Sequence, residues 1–419
     1  MKRQPVDFIL SGAGQLVTLA GPSRPRTGAA MQAVGVIPDG ALAAREGTIV
    51  AIGPSHEVET NCQLVPGGTR VDAAGRTVTP GLVDPHTHLP FYGYREDEFA
   101  LRLAGAKYLE ILKVGGGILS TVEKTRRASL KELIEFNRIL LDRMLACGTT
   151  TIEGKSGYGL DLATERKQLQ ALEILNQSHP VEIVATFLGA HAVPRNEDPE
   201  TYVNRVIGML PEVRGLAEFC DVFCEEGVFS VEQARRVLIA AREHGFGLKI
   251  HADELSPLGG AELAAELGAV SAEHLLRASE DGLRQMAAAG VVACLLPGTP
   301  FTLGHDDYAP ARRMIELGVT VALATDCNPG TCFTESMPMV MAIACRRMKL
   351  SPEEALTAAT INAAHAIGRG DTIGSLEPGK QADLVIFDMP NYRHLPYHYG
   401  VNLVATVIKR GRVVYDRTA

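Results

Sequence analysis

The chain has 419 residues, of which 46% are hydrophobic and 21% are charged, and its formal net charge at pH 7 is −8. This acidic balance argues against a nucleic-acid-binding protein, because phosphate backbones are neutralised by an excess of Lys and Arg. The N-terminal residues are interrupted by Gly, Ser and Gln, and no stretch approaches the roughly 20 apolar residues of a membrane span, so neither a signal peptide nor a membrane protein is expected.

The first 80 residues are predicted to form short β-strands. Glycine and proline separate brief apolar runs at 6–19, 40–54 and 70–80, as in an antiparallel sheet. The C-terminal end has the same texture at 374–388 and 403–416. Two β-rich ends around a different middle predict one small sheet domain that both termini build together.

The middle of the chain alternates strand candidates with helical patterns. The strand candidates cover 82–88, 150–155, 182–191, 218–226, 248–254, 269–274, 291–298 and 319–326. Helical spacing of apolar residues lies between them, and the patterns at 230–245 and 279–290 each end in a glycine typical of a helix stop. Eight strands that alternate with helices predict a parallel (β/α)8 TIM barrel, with all strand C-termini on one face.

Histidines and one aspartate mark the predicted C-terminal ends of these strands. His86 and His88 end the first strand, His191 the third, His251 the fifth, His274 the sixth and Asp326 the eighth. Residues i and i+2 of a strand point to the same face, so His86 and His88 converge on one point. Alone, such a pair fits ordinary loop histidines equally well. Five of the 12 histidines at one barrel face favour a metal site instead.

Several motifs resemble a known family. PGLVDPHTH (80–88), KIHADE (249–254), SAEH (271–274) and ATDCNPG (324–330) resemble the metal-dependent amidohydrolase superfamily. Within that superfamily, REDEFALRLAGAKYLEILKVGGGILSTV (95–122), KSGYGLD (155–161), FLGAHAVP (187–194) and DCNPGTC (326–332) resemble the imidazolonepropionase family of histidine degradation. The resemblance covers essentially the whole chain, and the REDEF, KSGYGLD and DCNPGT segments are its specific part.

The resemblance implies a distorted (β/α)8 barrel joined to a small β-sandwich domain. The discontinuous small domain is expected at 1–79 and 366–419, and the barrel at 80–365. It also implies a homodimer, while the charge and the lack of a long apolar stretch predict neither nucleic acid nor a membrane as partner. The eight cysteines include no CxxC pair, which is typical of reduced thiols in a cytoplasmic protein.

The implied reaction is hydrolysis of the cyclic amide C–N bond of 4-imidazolone-5-propanoate to N-formimidoyl-L-glutamate by a metal-activated water. The ion, one per subunit, would be held by His86, His88, His251 and Asp326. Three imidazoles and one carboxylate suit zinc or iron, divalent or trivalent. The metal motif alone leaves another cyclic-amide hydrolase or a deaminase of the superfamily as the alternative. A non-catalytic scaffold would have lost a metal or proton-transfer residue, and none is missing.

The resemblance also implies a set of substrate contacts. They are Arg95, Tyr158, His191, Glu254, Asn328, Gly330 and Thr331. Arg95 offers a planar fork for the anionic propanoate. Without the resemblance, a surface ion pair between Arg95 and Glu96 or Asp97 would be the simpler interpretation.

Three residues are candidates for proton transfer and charge stabilisation. Asp326 can accept the proton of the water. His274 can stabilise the developing oxyanion or hold the nucleophile. Glu254 can deliver a proton to the ring nitrogen as the C–N bond breaks. How the work divides among these three residues is a hypothesis.

Other reactive residues are predicted to be structural. Lys155 ends the second strand and is expected to line the pocket or support it, with no second metal. Cys327 and Cys332 flank the NPGT segment and are expected to be packed, reduced thiols, because four ligands are already available. The glycines at 115–117 predict either a loop over the active site or a simple turn.

Overall fold

The computed structural model describes residues 3–105 and 116–417, and two eight-stranded sheets organise them. In chain order the strands are β1 (Gln4–Val17), β2 (Val36–Arg45), β3 (Thr48–Pro54), β4 (Cys62–Asp72), β5 (Thr77–Pro80), β6 (Leu82–Thr87), β7 (Thr149–Lys155), β8 (Glu182–Ala190), β9 (Phe219–Cys224), β10 (Gly247–Ala252), β11 (Ser271–His274), β12 (Val292–Leu295), β13 (Thr320–Leu323), β14 (Leu384–Phe387), β15 (Val404–Lys409) and β16 (Arg412–Asp416).

The α-helices of the described residues lie mainly between the strands of the second sheet. Their bounds are Ser55–Asn61, Glu96–Leu103, Ile118–Arg127, Leu130–Ala146, Leu162–Ser178, Pro199–Val213, Val231–Glu243, Gly260–Leu267, Glu280–Ala289, Gly298–Leu303, Ala311–Glu316, Met337–Arg347, Pro352–Ala358, Ile361–Ala366 and His394–Tyr397, with a 3-10 turn at Gly28–Gln32. No helix in these ranges is long and apolar enough to cross a membrane.

Strands β6 to β13 form the predicted parallel barrel. They pair in sequence order, each parallel to the next. The last and first strands approach just beyond β13, where Asp326 N donates to His86 O over 3.0 Å and Thr87 pairs with Cys327. All eight predicted strands are present, so the (β/α)8 prediction is confirmed.

Sequence signals at the helix ends explain why the barrel helices begin and end where they do. Ser230 and Gln233 form a reciprocal capping box at the start of Val231–Glu243, and Ser129 and Glu132 form another ahead of Leu130. Gly290 ends the helix Glu280–Ala289 with a φ of 74°, which a residue without a Cβ adopts at no steric cost.

Both chain ends build the other sheet, as predicted. Its strand order is β16-β15-β14-β5-β1-β2-β3, and β4 pairs with β1. The sheet is mixed rather than purely antiparallel, because β1 runs parallel to β4 and to β5. The domain limits 1–79, 366–419 and 80–365 remain predictions.

The apolar core surrounds a barrel interior that contains charged residues. A large hydrophobic cluster fills the space between the strands and their helices. Inside the barrel, five fully buried charged residues form a layer: Glu153, Lys155, Asp221, Lys249 and Glu273. This layer touches the histidines at the strand ends and therefore belongs to the description of the site.

Candidate active site

Three imidazoles and one carboxylate converge at the C-terminal face of the barrel. The Nε2 atoms of His86 and His88 lie 3.3 Å apart, and those of His88 and His251 lie 3.5 Å apart. Asp326 Oδ1 is 3.2 Å from His88 Nε2 and 3.5 Å from His86 Nε2. The strand period and the barrel register thus bring together all four residues predicted as metal ligands.

The backbone is strained where the strands deliver these side chains. Asp326 has a φ of 55° and His274 a φ of 68°, and Asp253 beside Glu254 has a φ of 50°. Non-glycine residues in this region are costly, and such residues cluster at functional sites.

Asp326 is held as a carboxylate. Thr299 Oγ1 donates to its Oδ2 over 2.5 Å, while its buried Oδ1 has no hydrogen-bond donor among the residues described. Burial alone would raise the pKa of Asp326, but the contacts with His86 and His88 outweigh it and hold the pKa well below its usual value. Thr299 was not anticipated from the sequence, because it lies outside every motif.

Glu254 and His274 form a second pair beside the ligands. His274 Nδ1 lies 3.5 Å from Glu254 Oε1, and the His274 ring lies 5.3 Å from that of His251. Burial, reinforced by the charge of Asp326, raises the pKa of Glu254 to about 8, so this acid is protonated at neutral pH. Burial lowers the pKa of His274 well below its usual value, so its ring is neutral. The pair offers proton donors next to the ligand cluster.

His191 and Tyr158 form one wall of the site. The His191 ring stacks on His88 with centroids 4.8 Å apart and planes 14° apart, and Tyr158 lies 5.2 Å from His191. His191 Nδ1 is 3.0 Å from Gly157 O, which identifies it as the protonated nitrogen and leaves Nε2 as an acceptor. Both predicted contact residues therefore border the predicted metal ligands.

Arg95 pairs with Glu98, not with Glu96 or Asp97. Its Nε donates to Glu98 Oε1 over 3.0 Å and its Nη2 to Glu98 Oε2 over 2.7 Å, and the Arg95 side chain is only 9% exposed. Glu98 Oε1 also accepts from Gly117 N over 3.0 Å. Glu98 was missed because three acids follow Arg95 in the sequence, and only the helix that begins at Glu96 distinguishes them.

The segment after Asp326 brings Gly330 against Arg95. A Cβ at Gly330 would lie 2.2 Å from Arg95 Nη1, so a larger residue there would displace the guanidinium. Asn328 Oδ1 accepts from Gly330 N and Thr331 N, both over 2.8 Å, and its Nδ2 donates to Asp326 O over 2.7 Å. The amide of Asn328 thus shapes the loop, which sets Gly330 and Thr331 at the edge of the site.

Beneath the ligands, the buried charged layer pairs internally. Lys155 Nζ lies 2.8 Å from both Glu153 Oε2 and Asp221 Oδ2. Lys249 Nζ lies 2.7 Å from Glu153 Oε2 and 3.6 Å from Glu273 Oε1. Burial would lower the pKa of Lys155, but Asp221 and Glu153 outweigh it and raise the pKa above its usual value, so the lysine stays charged. A charged residue in an apolar strand was the only sequence signal for this layer.

Other residues near the site occupy supporting places. Cys327 and Cys332 are buried free thiols, and burial raises the pKa of both. Glu225 is buried and accepts from Leu255 N over 2.9 Å and Ser256 N over 3.1 Å, which fixes the loop that carries Glu254. The part of the 95–122 motif at 106–115, including the first glycine of 115–117, lies outside the described residues.

A family comparison agrees with this fold. The model of the amidohydrolase family matches residues 77–414. Proteins named imidazolonepropionase are similar to the chain over nearly its whole length. That of Geobacillus kaustophilus (strain HTA426) is 56% identical over 96% of this chain and 97% of its own. That of Alkaliphilus oremlandii (strain OhILAs) is 54% identical over 98% of this chain and 99% of its own. The chain belongs to the amidohydrolase family and, within it, to the imidazolonepropionases.

Solved structures share the fold at low sequence identity. An adenosine deaminase from Xanthomonas campestris with bound zinc superposes with a TM-score of 0.75 and 22% identity, over 98% of this chain and 93% of that chain. The guanine deaminase of E. coli gives a TM-score of 0.73 and 18% identity, over 98% of this chain and 100% of that chain. These likenesses support the architecture of a barrel joined to a small sheet.

Proposed function

We propose that this chain hydrolyses the cyclic amide C–N bond of 4-imidazolone-5-propanoate to N-formimidoyl-L-glutamate, a step of histidine degradation. The observation that carries the proposal is one cluster, His86, His88, His251 and Asp326, with the Glu254–His274 pair beside it. Full-length relatives at 51–56% identity that bear the name imidazolonepropionase support the substrate. A deaminase of the same superfamily is not favoured by these relatives.

The residues present fit one metal ion per subunit. Three Nε2 atoms and Asp326 Oδ1 face one another, and that oxygen is buried without a donor among the described residues. Nitrogen and oxygen donors of this kind suit zinc or iron. When bound, such an ion lowers the pKa of a water molecule and polarises a carbonyl group. Asp326, His86, His88 and His251 are the proposed ligands.

The substrate would be oriented by contacts at its propanoate and at its ring. Arg95 Nη1 is turned away from the Glu98 fork and faces Gly330, where it can pair with the propanoate. Tyr158 and His191 contact the ring from the wall of the site, with Asn328, Gly330 and Thr331 closing the opposite edge. In this orientation the amide would lie next to Asp326, Glu254 and His274.

Proton transfer follows from the opposite states of the two acids. Asp326 is ionised at neutral pH and accepts the proton of the attacking water. Glu254 is protonated and delivers its proton to the ring nitrogen as the C–N bond breaks. His274 is neutral, and its N–H stabilises the negative charge that develops on the carbonyl oxygen.

The compartment and the partners of the protein are also proposals. Eight free cysteines, most of them buried, suit a reducing compartment, and we place the protein in the cytoplasm. The partner is a small anionic substrate rather than a nucleic acid, in keeping with the net charge of −8. The subunits are proposed to form a homodimer, as the family resemblance implies.

Substrate turnover and metal content are measured on the same sample of protein. The purified protein is given 4-imidazolone-5-propanoate, the ring absorbance is followed, and zinc and iron are quantified in the same preparation. We expect loss of the ring absorbance at a rate proportional to bound metal, with one ion per subunit. Metal-loaded protein that leaves this compound intact while it opens another cyclic amide would overturn the substrate assignment.

A further inference from the structure

The buried layer beneath the ligands contacts two of the three ligand histidines directly. We propose that Glu273 and Asp221 are positioning residues that fix the rings of His86 and His251 for metal binding, and that Lys155 and Lys249 hold the two carboxylates in place. The inference rests on the proposed metal site and extends it to residues that never touch the substrate.

Each carboxylate meets the ring nitrogen that faces away from the ligand cluster. Glu273 Oε2 lies 3.2 Å from His86 Nδ1, and Asp221 Oδ2 lies 3.0 Å from His251 Nδ1. A carboxylate at Nδ1 selects the tautomer with its proton there, which leaves the lone pair of Nε2 for the metal. The Nε2 atoms of both rings are those that converge with His88.

The carboxylates are themselves held from below. Lys155 Nζ lies 2.8 Å from Asp221 Oδ2, and Lys249 Nζ lies 3.6 Å from Glu273 Oε1. Ser271 Oγ donates to Glu273 Oε1 over 2.5 Å. Glu153 joins the two lysines, at 2.8 Å from Lys155 and 2.7 Å from Lys249. Glu273 is thus held at the oxygen that does not meet His86, whereas Asp221 Oδ2 meets both Lys155 and His251.

His88 provides an internal contrast. Among the described residues its carboxylate contact is at Nε2, 3.2 Å from Asp326 Oδ1, rather than at Nδ1, and its ring stacks on that of His191. The two carboxylates thus contact His86 and His251 at Nδ1 and leave His88 to other contacts. A layer that served only general packing would not need a carboxylate at both of these nitrogens.

Stability alone is a poor explanation for such a layer. Three carboxylates and two ammonium groups, all with 0% exposure, must lose their hydration when the barrel closes. Apolar side chains of similar size often stabilise a protein as well as a buried ion-pair network does. A network that positions ligands explains why charges lie at this depth.

The test measures metal binding rather than turnover. Glu273→Gln and Asp221→Asn remove each negative charge with little change in size. We expect each variant to bind Zn²⁺ about ten- to hundredfold more weakly, in competition with a chromophoric chelator. The visible spectrum of the Co²⁺-loaded variants should also change, because it reports the geometry of the ligands.

Two controls separate positioning from loss of fold. Glu354→Gln removes another buried carboxylate, which pairs with Arg312 far from the site, and it should lower the melting temperature without changing Zn²⁺ affinity or the Co²⁺ spectrum. The double variant Glu273→Gln/Lys249→Met keeps the net charge of the layer. It should fold and still show the weaker Zn²⁺ binding.

The outcomes distinguish this inference from the proposed function. Zn²⁺ affinity within threefold of wild type and an unchanged Co²⁺ spectrum in both single variants would overturn the positioning roles, whatever the substrate. Equal losses in Glu354→Gln would overturn them as well, because the effect would then be general destabilisation. A wild-type protein that binds one ion but leaves 4-imidazolone-5-propanoate intact would contradict the proposed substrate and leave the positioning result standing.

Discussion

Two acidic residues in one site have opposite protonation states because their surroundings differ. Burial, together with the nearby charges of Asp326 and Glu225, raises the pKa of Glu254 to about 8. The Asp326 side chain is more deeply buried, at 2% exposure against 15% for Glu254, but imidazole contacts reverse the effect of burial and lower its pKa. Pairs of titratable groups whose pKa values are driven apart in this way identify a general acid and a general base. At the residue scale, this difference defines the proposed chemistry.

The role of Glu254 is tested by Glu254→Gln. The amide keeps the size of the side chain but cannot deliver a proton, so we expect kcat to fall by about 10²–10⁴-fold while metal content stays unchanged. Ring absorbance and metal analysis measure the two quantities. Glu226→Gln, an exposed acid after β9, is the matched control and should keep full turnover. A Glu254→Gln variant with both full turnover and full metal content would remove the acid role.

The role of Arg95 is tested by Arg95→Lys. The ammonium keeps the charge but loses the planar fork that Glu98 holds, so we expect KM for 4-imidazolone-5-propanoate to rise by about tenfold, roughly 1.4 kcal/mol, with a smaller change in kcat. An analogue with an ethyl group in place of the propanoate is the control substrate. Its KM should be the same for both proteins. An equal rise for both substrates would show that Arg95 does not bind the carboxylate.

At the scale of elements, the strand period explains how much of the site could be predicted. His86 and His88 share a face through their i, i+2 spacing, and the ends of β10 and β13 bring His251 and Asp326 to the same barrel mouth. These relations depend only on strand register. Glu273 and Asp221 could not be assigned, because their partners lie on other strands, and only the barrel reveals which lysine meets which acid.

The helix Ile361–Ala366 contains a group that makes stability depend on pH. Burial, followed by the charge of Lys380, lowers the pKa of His365 from 6.5 to about 4, while Asp371 acts in the opposite direction and Arg26 adds to the lowering. Between pH 6.5 and 4 the unfolded chain binds a proton here that the folded protein does not. Stability should therefore decrease as the pH falls through this window.

Replacing His365 should weaken this dependence on pH. The variant His365→Leu cannot be protonated, so we expect its melting temperature to fall less than that of the wild type between pH 7 and pH 5. Thermal unfolding followed by circular dichroism measures the difference. His56→Leu changes a histidine with a 78% exposed side chain and should behave as the wild type does. Equal losses for His365→Leu and the wild type would contradict the assignment.

At the scale of the molecule, single buried side chains join segments that are far apart in the sequence. Asn362 Oδ1 accepts from Arg26 N over 2.8 Å, and its Nδ2 donates to Arg26 O and Val321 O, both over 2.9 Å. One amide thus links the N-terminal segment, the last barrel strand and a C-terminal helix. The β-rich ends were predicted from their texture, but this junction depends on tertiary contacts that no local pattern contains.

The junction is tested by Asn362→Ala. The change leaves one N–H and two carbonyl groups buried without their partner, so we expect the free energy of unfolding to fall by about 3 kcal/mol. A lower urea midpoint measures this loss. Asn204→Ala removes an exposed asparagine that pairs with Arg236, and it should change the midpoint little. Similar midpoints for the two variants would contradict the linking role of Asn362.

The central claim is hydrolysis of the ring amide, and the most direct measurement is the fate of 4-imidazolone-5-propanoate in H₂¹⁸O. Attack of water on the ring carbonyl breaks its bond to nitrogen, and the carbonyl carbon becomes a carboxylate. We therefore predict N-formimidoyl-L-glutamate with one ¹⁸O atom in that carboxylate by mass spectrometry, with no release of ammonia. Metal-loaded protein that releases ammonia from the compound, or leaves it unlabelled and intact, would contradict the account.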